Sequence, residues 1–323
     1  NMHGVDWDAI LDKYLPLVDR ITDRHEFSDL IGELVSELSA LHIYVFGGDR
    51  RTAPDKISPA NLGAVLTRDE NAGGYRVEHI YRTDPEEPQY MSPLLRPGVD
   101  MSEGDIITDI NGIPTLSVAA IEILLRRTAD RQVLMSVISS ESGDTRDVIV
   151  KPITTSQMRD LRYRSWEYSR RLMVEQTSNN EMGYVHLRST GTGDYGQWVR
   201  DFFPILDRKG LIIDMRNNGG GNIDSWILTS LLRQPWAYWK SRKGIPYPNM
   251  QLSFNGHIAV LCNEWTASDG ELFCEGIRRL GLGKTFGTRT WGGEIWLSYG
   301  NLMVDRGIAS AAQSGVYAPE GIW

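Results

Sequence analysis

Two stretches of this chain repeat one arrangement, an apolar run that breaks into a polar turn and then an amphipathic segment. In the first, Leu211-Ile212-Ile213-Asp214 leads into Asn217-Asn218-Gly219-Gly220-Gly221 and then Ile223–Leu232. In the second, His257–Leu261 leads into Asn263 to Glu271, and an amphipathic segment runs over Asp269–Leu280. Short apolar runs without polar alternation suit strands buried on both faces, and helices following each strand supply the cover, as in a parallel sheet. Gly183–Leu187 followed by Gln197–Leu206 repeats the pattern, and Ser156–Tyr168 is predicted as a further helix. From Gly281 onward the texture returns to short strands and glycine turns. In such sheets ligands bind outside the carboxyl ends of the strands, where both polar turns fall.

The preceding segments differ in texture. Ile10, Leu11, Tyr14, Leu17, Val18 and Ile21 recur at helical spacing, with a kink expected at Pro16. Asp23 and Glu26 have capping-box spacing for a second helix bearing Phe27, Leu30, Ile31, Leu34 and Leu38. Leu41–Phe46 reads as a short strand closed by Gly47-Gly48. Residues 51–60, polar with two prolines, read as a linker. From Asn61 to Thr154 short strands dominate, at Leu62–Leu66, Tyr75–Ile80, Asp105–Ile110, Val133–Val137 and Asp147–Val150, with a short helix over Val118–Arg127.

Composition narrows the function classes. The 323 residues are 41% hydrophobic and 24% charged, ordinary globular usage. The net charge of −8 argues against a nucleic-acid partner, and no apolar run is long enough to span a membrane. Cys262 and Cys274 lack a CxxC or Cys/His context, so they are expected as buried thiols and no metal site is predicted. The chain starts at Asn1 with no signal-peptide pattern, as expected of a fragment or processed piece.

Ser268 falls where a strand turns into a helix. Backbone N–H groups and the helix dipole favour developing negative charge there, which suits a nucleophilic hydroxyl. Ser is equally a preferred N-cap residue, and the G-x-S-x-G elbow is not met because Thr266 holds the first glycine position. The Asn218–Gly221 turn exposes backbone N–H groups for an oxyanion pocket, or is a plain strand-to-helix connection. Six histidines, His3, His25, His42, His79, His186 and His257, are available as a base, and no spacing rule selects among them. Trp226, Trp236, Trp239, Trp291 and Trp296 could line an aromatic pocket or pack the core.

Taken together, these residues resemble the tricorn protease family over nearly the whole chain. Leu62-Gly63-Ala64-Val65 resembles the carboxylate loop of a PDZ domain. Ser92-Pro93-Leu94-Leu95-Arg96-Pro97-Gly98-Val99 leading to Gly104-Asp105-Ile106-Ile107 and Ile110-Asn111-Gly112 completes that likeness. The resemblance implies a helical cap at 1–52 carrying the base, a PDZ domain at 58–154 and an α/β serine-protease core at 155–323. That core would be a largely parallel, crotonase-like sheet with helices. By the same resemblance Ser268 is the nucleophile, His42 the base, and the N–H groups of Asp269 and of Gly220 or Gly221 the oxyanion donors. No cofactor is implied. The implied partners are short unfolded peptides and further copies of the chain in a ring-like homo-oligomer, in the cytoplasm.

Two features depart from the family. Leu41 stands where the family has a serine that orients the histidine. The family glutamate that holds this relay is expected just past Gly321-Ile322-Trp323. A base without its orienter can adopt the wrong tautomer, which costs about 10⁴ in rate in a serine-protease triad. The alternative is therefore a catalytically impaired PDZ-containing peptide-binding protein or scaffold. The related carboxy-terminal processing peptidases use a Ser-Lys dyad, with the lysine after a Thr-x-Gly step. Here that step is Thr290-Trp291-Gly292 and the next residue is Gly293, which favours a Ser-His site.

Overall fold

The structure is a computed structural model and describes residues 4–51, 57–297, 300 and 302–321. His3, part of the 51–60 linker, and Ile322-Trp323 lie outside the described residues. Helices of eight or more residues are α1 (Trp7–Tyr14), α2 (Arg24–Ser36), α3 (Thr155–Thr177), α4 (Tyr195–Phe202), α5 (Asp224–Leu231) and α6 (Asp269–Arg279). The chain divides into two units, one formed by residues 1–52 with 174–323 and the other by 53–173.

The first unit is built on a four-stranded, all-parallel sheet in the order Lys284–Gly287, His257–Cys262, Gly210–Asp214, Met182–His186. Its apolar runs fill a core in which Val185, Leu211, Ile213 and Val260 pack with Trp198, Phe202, Ile227, Phe273 and Ile277 of the covering helices. Trp198 stacks on Phe202 with ring centroids 4.3 Å apart. Gly210, Leu211 and Ile212 pair with His257, Ile258 and Ala259, so both polar turns leave the sheet at the same end.

Smaller antiparallel pairs surround this sheet. Val45–Phe46 pairs with Ile308–Ala309, Ile295–Leu297 with Ala312–Gly315, and Ala237–Trp239 with Tyr247–Asn249. The last hairpin was not anticipated, and it exposes Trp236, Tyr238, Trp239, Ile245 and Tyr247. Trp236 and Trp239 therefore serve neither the core nor a pocket with Trp291.

The second unit is an antiparallel sheet in the order Ala64–Asp69, Gly74–Ile80, Ile106–Ile110, Val133–Ile138, Thr145–Val150, with Ile113–Pro114 added on Ile106–Ile110. Val77, Ile80, Leu94, Ile107, Ile110, Met135 and Val137 form its fully buried centre. The helix expected over Val118–Arg127 is reduced to a 3-10 turn at Ile121–Ile123. β-Branched residues there disfavour helix, and the Leu116 and Val118 carbonyls accept the Arg68 guanidinium instead (2.9 and 2.8 Å).

Three local expectations change at the amino-terminal end. The first helix starts earlier, at an Asp6 cap, and becomes a 3-10 segment over Leu15–Arg20 around Pro16. Asp23 does cap α2, but Glu26 reaches back to the N–H and hydroxyl of Thr22 (2.7 and 2.8 Å) rather than to Asp23. The strand expected at Leu41–Phe46 holds only at Val45–Phe46, because His42 has a φ of +57°.

Candidate active site

The second polar turn ends at Ser268, which precedes the first residue of α6 and has φ +54° and ψ −127°. A non-glycine residue in this region is strained, and such conformations persist only where neighbours over-determine them. Here the neighbours are hydrogen bonds. The Ser268 N–H donates to Glu271 Oε2 (2.9 Å), and the Glu271 N–H donates to the Ser268 carbonyl (2.7 Å). Among the described residues the Ser268 hydroxyl makes no capping bond, so the cap function falls to its backbone and to Glu271.

Glu271 had no assigned role in the sequence reading, although its capping-box spacing from Ser268 was a readable signal. Its carboxylate also accepts the N–H of Gly292 (Oε1, 2.5 Å) and of Gly293 (Oε2, 2.8 Å). One carboxylate thus gathers the Ser268 turn and the 291–293 loop.

The glycine turn is sewn to the serine turn by buried polar groups. Thr266 Oγ1 donates to the Met215 carbonyl (2.8 Å), and the Ala267 N–H donates to the Asn218 carbonyl (2.9 Å). Asn218 is fully buried; its Nδ2 donates to the Leu187 carbonyl and its Oδ1 accepts the Gly220 N–H, both at 2.8 Å. Gly220 has φ +82°, and a Cβ there would lie 2.6 Å from Ser268 Cβ, so only glycine lets the turn approach the serine.

Of the two glycines left open by sequence, Gly220 has its N–H engaged by Asn218. The N–H of Gly221 and that of Asp269, at the start of α6, have no acceptor among the described residues. The Asp269 carboxylate is buried and accepts the N–H groups of Ile223 and Asp224 (3.0 and 3.1 Å), tying the start of α5 to α6. Burial, and then the nearby Asp224, push its pKa up to about 6.

His42 reaches the same neighbourhood from the amino-terminal segment. Its ring lies edge-on to Trp291 (centroids 5.3 Å apart), and a Cβ on Gly293 would come within 3.3 Å of its Cε1. A Cβ there would meet the Trp291 ring first and the imidazole only beyond it, so His42 and Trp291 together line this side of the loop. Ser310 staples the segment in place. Its hydroxyl donates to the His42 carbonyl (3.3 Å), and the Tyr44 N–H donates to Ser310 Oγ (2.9 Å).

Arg24 adds a second tie, pairing with Asp305 (2.5 Å) just before the strand that flanks Val45–Phe46. The pairing holds the Asp305 carboxyl far below the usual range. Leu41 is 39% exposed, and its side chain carries no hydrogen-bonding group to hold the ring. His42 Nδ1 is buried without a hydrogen-bond partner among the described residues, and no hydrogen bond joins the ring to Ser268 Oγ. Burial lowers the His42 pKa, against an opposing pull from Glu271.

The remaining candidates are elsewhere. His186 is buried and bonds the Arg216 carbonyl (2.9 Å), and His79 pairs with Glu103 (2.9 Å) in the second unit. Cys262 and Cys274 are free and buried. Of the five tryptophans considered, only Trp291 is seen against a site residue. Trp226, about half exposed, meets Tyr195 instead.

A strained serine at a helix start, backed by open backbone N–H groups and flanked by an imidazole, is the arrangement of serine-nucleophile enzymes on α/β sheets. Comparison with known proteins gives the family. The model of peptidase family S41 matches residues 181–323, that of the tricorn protease PDZ domain residues 60–155, and that of the tricorn protease C1 domain residues 1–36. Tricorn protease homolog 1 of Streptomyces coelicolor is 33% identical over 309 residues, covering 94% of this chain and 28% of that protein. The tricorn protease of Thermoplasma acidophilum is 31% identical over 299 residues, 92% of this chain and 27% of that protein. A crystal structure of the tricorn protease superposes with a TM-score of 0.84 at 29% identity, over 94% of this chain and 29% of that one. The chain belongs to the tricorn protease family, and it spans under a third of the length of these relatives.

Two outcomes follow from this geometry. Asn218→Ala strands the buried Leu187 carbonyl and Gly220 N–H, and should lower the unfolding free energy by about 2–4 kcal/mol in urea titrations. The His42 Cε1 proton, followed by NMR, should titrate with a midpoint below the ordinary imidazole value of about 6.5, because burial disfavours the charged ring; a midpoint above that value would show Glu271 outweighing burial.

Proposed function

We propose that this chain carries the catalytic site of a tricorn-type serine peptidase. The observation that carries the reading is the Ser268 geometry: a positive-φ serine, its hydroxyl not engaged in capping, at the start of α6 beside the open Asp269 N–H. Ser268 Oγ attacks the peptide carbonyl carbon while His42 accepts its proton. The oxyanion takes the N–H groups of Asp269 and, since the Gly220 N–H is engaged, of Gly221. As the C–N bond breaks, His42 protonates the departing amine, and water then releases the acyl group by the same route. The gap between His42 and Ser268 closes in the substrate complex, as catalytic hydrogen bonds are often long in free enzymes.

The glycine at 293, after Thr290-Trp291-Gly292, and the His42 ring lying against the same loop support a histidine base over a lysine dyad. Its depressed pKa keeps it neutral, and so able to accept a proton, at neutral pH. The cap at 1–52 supplies this base and 155–323 the nucleophile. Substrates are short unfolded peptides, in keeping with the family. Self-association is part of the reading, supported by the exposed aromatic hairpin at 236–247.

A fluorophosphonate probe applied to the full chain should give a single adduct that maps to Ser268 and disappears in Ser268→Ala and in His42→Ala. Ser268→Ala should lower peptide turnover on the order of 10⁶-fold. An adduct that persists in Ser268→Ala, or its absence from the wild-type protein, would favour the peptide-binding alternative. Light scattering should give a mass that is a multiple of the single chain; a monomer would rule out self-association of this chain.

A further inference from the structure

The N–H groups of Asp269 and Gly221 belong to turns that lead into different helices, α6 and α5. One oxygen can accept both only if the two turns are held at a fixed spacing. Upstream of both donors, the Ala267 N–H bond to the Asn218 carbonyl joins the turns. Downstream, the tie is the Asp269 side chain.

α5 begins without a cap of its own. Its N-cap residue is Ile223, and no side chain of that turn caps the helix. Its first donors are met from outside. The Ile223 N–H is shared between the Thr190 carbonyl (3.2 Å) and Asp269 Oδ2 (3.0 Å), and the Asp224 N–H donates to the same carboxylate oxygen (3.1 Å). A residue of α6 thus does for α5 what a local Ser or Asp does at most helix starts.

Gly221, two residues earlier, is closed in from the other side by Thr190. The Thr190 N–H donates to the Gly220 carbonyl (2.9 Å), and the Asn222 N–H donates to the Thr190 carbonyl (2.8 Å). A Cβ on Gly221 would collide with that carbonyl. The Thr190 hydroxyl faces the Asp269 carboxylate and favours its ionised form. Thr190 Oγ1 and Asp269 Oδ1 are both buried, and neither has a hydrogen-bond partner among the described residues. The carboxylate therefore sits between Thr190 and the start of α5, with the Gly221 turn held between them. Asp269 is fully buried with Asp224 beside it, an expensive place for an acid if its only task were to stabilise a helix end.

We propose that the Asp269 side chain is a positioning residue: by clamping residues 221–224 it sets the distance between its own N–H and that of Gly221, so that both reach one oxyanion. The inference rests on the peptidase reading for the reaction and on these hydrogen bonds for the clamp. The Asp269 N–H stays in place whatever the side chain, so substitution separates the clamp from the donor.

Two measurements on the full chain test this, with Asp269→Ala and Asp269→Asn. Asparagine keeps an oxygen for the two N–H groups, and its amide can donate to Thr190 Oγ1. The first measurement is peptide turnover. Asp269→Ala should lower kcat about 10²-fold and leave KM within about threefold, because a misplaced oxyanion donor is felt only in the transition state. Asp269→Asn should recover at least about tenfold of that kcat. Wild-type kcat in Asp269→Ala, a loss confined to KM, or an Asn variant no better than Ala would overturn the proposal. The second is amide NMR, which needs no turnover. In Asp269→Ala the Gly221 signal should shift and the Ile223 and Asp224 amides should exchange with solvent at least about tenfold faster; Asp269→Asn should move all three back toward the wild type. An unmoved Gly221 signal sinks the clamp whether or not peptides are cleaved. These changes in a protein with no turnover at all would uphold the clamp and sink the peptidase reading. If Asp269→Ala does not fold, Asp269→Ser, too short to reach both N–H groups, replaces it with the same expected losses.

Discussion

The Glu271 carboxylate is the constraint on which the site depends. It accepts three backbone N–H groups, from Ser268, Gly292 and Gly293. Hydrogen bonds to a charged acceptor are the strong ones, and an anion at the start of α6 also complements the helix dipole. These contacts offset the cost of holding Ser268 at positive φ. They also fix the 291–293 loop, against which the His42 ring lies. Ser268 and His42 therefore come from segments more than two hundred residues apart but share one anchoring group.

That anchor imposes an electrostatic cost. Glu271, Asp269, Asp224 and Glu294 crowd around one end of α6, and two of them show it, Asp269 held up at about 6 and Glu294 at about 7. Asp269 offsets its burial by accepting two N–H groups at the start of α5. Glu294 has no such compensation: both its carboxylate oxygens are buried without a hydrogen-bond partner among the described residues.

Local pattern served well where one physical signal dominated. The apolar runs at Leu211–Asp214 and His257–Leu261 have few alternatives to buried parallel strands, and both stand as such. It served poorly where a distant partner took over. Val118–Arg127 has helical spacing, but Arg68 claims the Leu116 and Val118 carbonyls. Leu41–Phe46 reads as a strand, but Ser310 and the neighbouring Ile308–Ala309 strand hold its first half in a turn with His42 at positive φ. The tryptophans suggested a shared aromatic pocket, yet Trp236 and Trp239 stand exposed on a hairpin that no sequence signal announced.

What the sequence by itself determined is the family, the parallel core and the position of Ser268 at a strand-to-helix turn, because each rests on residues close together in the chain. Only the tertiary structure decided which groups remain open. Whether the Ser268 hydroxyl caps its helix, whether Gly220 or Gly221 has a free N–H, and whether Glu294 finds a donor all depend on partners brought from elsewhere in the chain. Hydrogen bonding is short-ranged and directional, so a polar group's role is settled by what folding places within about 3 Å of it, and spacing along the sequence carries little of that information.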